Sequence, residues 1–248
     1  SVSALFLGLY AFSIPACKPL RANNGSSLAN KLGLDAFVLF KDRKMAIFFF
    51  FSMCLGAALQ ITNAFGGAFL DSFQSTFPDT FAVQHPILLL SISQISETLF
   101  ILTIPFFLKK FGIKKVMLMS MFAWVFRFGL FSIGNPGSGL PLLILSMIIY
   151  GMAFDFFNIS GSLFVEKEAP QSMRASAQGL FMFMTNGIGA MIGGYGSGLV
   201  VDHYTLNGVS DWPSIWMVFT IYALILGLIF PFAFKYKHET GAVTEVRH

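Results

Sequence analysis

The sequence predicts an all-α membrane protein, a bundle of about seven transmembrane helices, and three observations predict it. Of 248 residues, 55% are hydrophobic and only 11% are charged, against about 25% charged in a soluble domain. Mean hydropathy is +0.71. The apolar residues fall in long unbroken runs that suit helices, whereas the strands of a membrane barrel would alternate in segments of about ten residues. Finally, the basic residues gather in every second connection between those runs.

A helix needs about 20 predominantly apolar residues to cross a bilayer. That window places spans at 1–17, 45–71, 84–108, 114–133, 140–165, 173–201 and 213–234. The first run, SVSALFLGLYAFSIPACKPL, has no basic stretch ahead of it and so does not read as a secretory leader. It reads as the end of a spanning helix that begins upstream, which would make this chain a fragment. Residues 18–44 form a long connection, polar at RANNGSSLANK, then LGLDAFVLFKDRK, expected as an interfacial amphipathic helix. Pro86, Pro141 and Pro213 stand at or near the starts of later spans, where a missing N–H costs little. Gly189, Gly193 and Ser197 recur every four residues, with Gly194 and Gly198 as a second pair. Small residues so spaced let helices approach closely.

Fifteen of the sixteen basic residues alternate by side. Lys18, Arg21, Lys31, Lys41, Arg43 and Lys44 follow the first span. Lys109, Lys110, Lys114 and Lys115 fill the turn near 108–114. Lys167 and Arg174 come next, then Lys235, Lys237 and Arg247 after the last span. The connections 72–83, 134–139 and 202–212 carry none. The positive-inside rule makes the basic connections, and the C-terminus, cytoplasmic.

The same pattern narrows the function classes. A net charge of +4 and a pI near 9.1 do not indicate nucleic acid, because a phosphate-binding face needs a continuous basic patch. Cys17 and Cys54 form no CxxC pair or Cys/His cluster, so no metal is expected. The glycines of TNGIGAMIGGYGSGLV follow no strand, which leaves a dinucleotide fingerprint and other cofactors unsupported. No nucleophile–base pair or phosphate loop argues for an enzyme. His85, His203, His238 and His248 lie near span ends or in connections and read as solvated groups.

Ionisable groups inside a bilayer cost about 2.5–3.5 kcal/mol at a helix centre even on the gentlest scale, which marks them as functional candidates. Glu97, Arg127 and Asp155 are the three. At about 1.5 Å per residue, Glu97 and Asp155 lie roughly 16 Å and 15 Å from the cytoplasmic edge, and Arg127 about 20 Å. Gln60 and Asn63 share one helix face in LQITNAFGG, and Gln94 and Glu97 another in SISQISE. Tyr150, Phe154, Asp155 and Asn158 follow at helical spacing in YGMAFDFFN. Amides, carboxylates and rings at one depth suit a polar ligand with a flat ring, and a carboxylate there could carry a proton. Each residue also has a structural reading. The amides could tie neighbouring helices together, Glu97 or Asp155 could pair with Arg127, and the rings could serve packing alone.

LGLDAF, LQITNAFG, VQHPILLLSISQISETLFILTIPFFLKKFGIKKVM, YGMAFDFFNISGSLFVEKE and MRASAQGLFMFMTNGIGAMIGG closely resemble the nucleoside–proton symporters, bacterial permeases of the major facilitator superfamily. The resemblance runs over nearly the whole chain. It implies a major-facilitator-type helix bundle of two six-helix halves with a central site open alternately to each side. Residues 1–17 would end the last helix of the N-terminal half, 18–44 would be the central cytoplasmic loop, 45–234 the C-terminal half, and 235–248 a cytoplasmic tail. It further implies nucleoside contacts at Gln60, Asn63, Gln94, Glu97, Tyr150, Phe154 and Asp155. Proton coupling would fall to Asp155 or Glu97, because a carboxyl withdrawn from water favours its neutral form. The expected partners are a nucleoside, a proton, the bilayer of a bacterial inner membrane and a missing N-terminal half. Another solute (a modified nucleoside, a base or a sugar) and an inactive half-transporter remain the alternatives.

Overall fold

The computed structural model describes residues 2–14 and 33–236. Cys17, Lys18, Arg21, Lys31, Lys237, His238, Arg247 and His248 lie outside the described residues, as do most of the expected loop 18–44 and tail 235–248. The architecture is helical: α1 (Val2–Ala11), α2 (Arg43–Asp71), a single turn α3 (Phe81–Gln84), α4 (Pro86–Ile133) and α5 (Leu140–Glu168). A composite rod follows, made of α6 (Arg174–Met182), a π-helical segment Phe183–Gly189 and α7 (Ala190–His203). The hairpin β1 (Thr205–Leu206) and β2 (Val209–Ser210) leads into α8 (Trp212–Ala233).

The six expected spans after residue 44 each have a helical counterpart. The 48-residue α4 holds two of them, because Gly112 inside it has φ 76° and ψ 166°, a combination open essentially to glycine alone. The chain folds back there. Lys114 Nζ donates to Pro231 O at 2.9 Å at one end of the bundle, while Ser132 Oγ donates to Pro213 O at 2.9 Å at the other. The expected spans 84–108 and 114–133 are thus the two limbs of α4. α1 is ten residues, about 15 Å, and is exposed along its length.

The basic connections converge on one end. Lys44 pairs with Glu168 at 2.5 Å and Arg174 with Glu166 at 2.8 Å. Arg43, Lys44 and Lys235 border a common cleft. The Lys-free connections meet at the opposite end, where 72–76, 131–135 and 208–213 surround a cleft of about 730 Å³. The sequence LGLDAFVLFKDRK forms a 3₁₀ helix, Leu34–Lys41, entered through Gly33 at φ 72°. It buries Ala36 and Leu39 and leaves Phe37 and Phe40 outward. Asp42 then caps α2, accepting from Lys44 N at 2.8 Å and Met45 N at 2.9 Å.

Two kinds of packing hold the bundle. α4 lies against α5 and α8 through large rings: Trp216 stacks on Phe128 at 5.9 Å and meets Phe131 at 4.9 Å. α2 lies against the π segment and α7 through glycines instead. A Cβ on Gly56 would fall 2.0 Å from Thr185 O, on Gly189 2.4 Å from Met53 O, and on Gly193 2.5 Å from Ala57 O. The expectation of close approach at Gly189 and Gly193 is met, and Ser197 is buried in the same row. Gly194 faces the Gln60 side chain at 3.8 Å, while Gly198 faces open space.

Candidate functional site

α5 carries the densest group. Tyr150 and Phe154, one turn apart, stack with centroids 6.0 Å apart and planes 1° from parallel. Trp124 meets Tyr150 edge-on at 6.0 Å. The Arg127 guanidinium lies over the Tyr150 ring, 4.4 Å from its centroid, and 5.0 Å from that of Phe131. It is held there by a reciprocal bond between helices. Arg127 Nη1 donates to Ser146 O at 2.9 Å, and Ser146 Oγ donates to Arg127 O at 3.0 Å. Ser120 Oγ donates to Ala153 O nearby.

The first limb of α4 reaches the same group from its other flank. Ser96 Oγ donates to Ile148 O, and Ser93 Oγ to Met147 Sδ at 3.2 Å. Gly151 makes the approach possible: a Cβ there would sit 2.6 Å from Ser96 O and 2.8 Å from Glu97 N. Glu97 is therefore pressed against the turn of α5 that bears Tyr150 and Asp155. Asp155 lies one turn further along α5 from that contact.

Asp155 is buried, and its Oδ2 has no hydrogen-bond partner. Among the described residues neither Asp155 nor Glu97 makes an ion pair with Arg127. The alternative of a structural carboxylate–Arg127 pair is replaced by a guanidinium set against rings and a carbonyl. Gln60 and Glu97 are half-buried, as is Phe154; Asn63 and Gln94 are exposed. The structure thus brings Glu97, Tyr150, Phe154 and Asp155 together across α4 and α5. Gln60 and Asn63 stand on α2, whose inner packing is to the π segment and α7. A pocket of about 10 Å³, room for one water, separates the two groups between Leu59, Trp124, Phe154, Asn158 and Thr185.

Sequence reasoning missed three contributors. Ser96 and Gly151 act through close backbone contact, and neither stands out by charge or spacing. Trp124 braces Tyr150 from the second limb of α4, where the sequence singles out Arg127 alone. The π winding at Phe183–Gly189, common at functional places in helices, places Thr185 beside the small pocket. A glycine run is its only trace in the sequence.

Apolar helices, buried ionisable groups and stacked rings at mid-helix define a multi-pass membrane protein with a polar, aromatic face. The family model described as nucleoside H+ symporter matches residues 1–239. The chain belongs to the nucleoside H+ symporter family. It is 58% identical over 242 residues to xanthosine permease of Escherichia coli (strain K12), a match that covers 96% of this chain and 58% of that protein. It is 54% identical over 250 residues to nucleoside permease NupG of the same strain, covering 98% of this chain and 60% of that protein. Among solved structures, an aspartate-to-alanine variant of nucleoside transporter NupG superposes with a TM-score of 0.83 at 54% identity, over 93% of this chain and 58% of that one. The chain therefore spans about three fifths of the relatives it matches.

Proposed function

We propose that this chain supplies half of the carrier, and the proton site, of a transporter that moves a nucleoside together with a proton across a bacterial inner membrane. The reading rests on one observation: a buried aspartate, Asp155, with an unpartnered Oδ2 beside Glu97 and one residue along from the parallel Tyr150–Phe154 pair. It is supported by membership of the symporter family and by relatives named as nucleoside and xanthosine permeases.

The parallel rings offer a flat surface against which a base would pack. Gln60, Asn63, Gln94 and Glu97 would hydrogen-bond ribose hydroxyls and base edges. Two nearby carboxyls withdrawn from water resist ionising together, so one proton taken from the outer side would settle on Asp155 or Glu97. Loss of charge would then ease the rocking of one half against the other. In this reading residues 1–17 close the N-terminal half, 18–44 connect the halves in the cytoplasm, 45–234 form the C-terminal half, and 235–248 are a cytoplasmic tail.

The test is Asp155→Asn in the full transporter. Proton-driven accumulation of labelled nucleoside should vanish, while nucleoside binding and exchange between equal pools persist. Normal accumulation in that variant would remove Asp155 from the proton step.

A further inference from the structure

At the basic end of the bundle, the start of α2 and the end of α8 border a cleft of about 130 Å³ lined by Arg43, Lys44, Ile47, Ala233, Phe234 and Lys235. We propose that this cleft, between the ends of α2 and α8, is a binding site for the phosphate of an anionic phospholipid whose chains run down the membrane face below it.

The charge balance supports an anion. Three cations border the cleft, and Lys114, anchored on Pro231 O at 2.9 Å, adds a fourth close to Lys235. Among the described residues two carboxylates oppose them. Glu168 engages Lys44 at 2.5 Å, and Asp42 is already engaged in capping Lys44 N and Met45 N. Arg43 and Lys235 are left as exposed cations on the two sides of the opening. A guanidinium there can grip a phosphate through two parallel N–H bonds, with an ammonium as a second point charge.

The surface below is apolar, which separates a lipid from a free anion. Phe50 lies one turn from Ile47 on α2 and is 52% exposed; Ile229 lies one turn from Ala233 on α8 and is 50% exposed. Phe232 beside them is 80% exposed. A phosphate held at the mouth would therefore stand above a greasy strip along two helices. Basic pockets between membrane helices at the cytoplasmic side are suited to such headgroups.

The experiment is native mass spectrometry of the full chain released from nanodiscs that contain phosphatidylglycerol and phosphatidylcholine in equal amounts. The wild type should retain phosphatidylglycerol in preference to phosphatidylcholine. Arg43→Gln and Lys235→Gln should each weaken that retention about fivefold, and the double variant about thirtyfold. Arg43→Lys with Lys235→Arg should preserve it, and so should Lys110→Gln, a cation of the same end outside the cleft. Equal retention of the two lipids, unchanged retention in the double variant, or displacement by millimolar inorganic phosphate would each overturn the proposal, the last by pointing to a free anion.

Discussion

Arg127 illustrates how one residue can be located by burial cost and still be assigned the wrong neighbour. Its charge marks it in the sequence, and a carboxylate is the obvious partner. The structure sets it over Tyr150 and Phe131 and ties it to Ser146 O instead. Its chemistry is then that of a planar cation stacked on a ring while donating to a carbonyl, a geometry that a lysine ammonium meets only as a point charge. Arg127→Lys should raise the Kd for nucleoside about tenfold, the scale of a desolvated cation–ring contact, with little change in expression; equal affinity by equilibrium binding would refute the role. Gln60, Asn63, Gln94, Glu97 and Asp155 stand out in the sequence because polar and charged groups are rare in apolar helices, and Tyr150 and Phe154 by their helical spacing beside Asp155. What positions them does not. Gly151 and Ser96 work through contacts to another helix's backbone, and such contacts have no one-dimensional signature.

At the scale of elements, the length of the apolar runs located the spans after residue 44 to within a few residues, since a bilayer imposes one length on every crossing. The departures are local. The connection 72–83 contains α3, the connection 202–212 contains the hairpin through Asn207 and Gly208, and the amphipathic stretch before α2 is 3₁₀. The π segment is the largest of these surprises, because a change of winding leaves composition untouched. The contacts of the π segment and of α7 with α2 are made almost without side chains, so both should tolerate no added bulk. Gly193→Leu drives carbon into the Ala57 backbone, which cannot yield as a side chain can; thermal unfolding in detergent should show a loss of about 1–3 kcal/mol. Gly196→Ala, with open space at its Cβ, is the matched control and should unfold at the wild-type temperature. Similar melting of both proteins would contradict glycine-mediated packing.

For the whole molecule, the alternation of lysine and arginine foretold which connections share an end, and the shared clefts at 43–47 with 233–235 and at 72–76 with 208–213 agree. The positive-inside rule predicts that the basic end faces the cytoplasm. In a cysteine-free background, Asp79→Cys should react with a membrane-impermeant maleimide added to intact cells, and Lys110→Cys only after the cells are opened; the reverse order would invert the topology. The fold-back at Gly112 bears on how this bundle can move. A reversal made at one residue holds no spare chain, so the limb with the acid and the limb with the ring-bound guanidinium cannot slide independently at that end. Tilting must carry both as a single lever, and the gap between Glu97 and Tyr150 should stay constant through a transport cycle while distances to α2 do not.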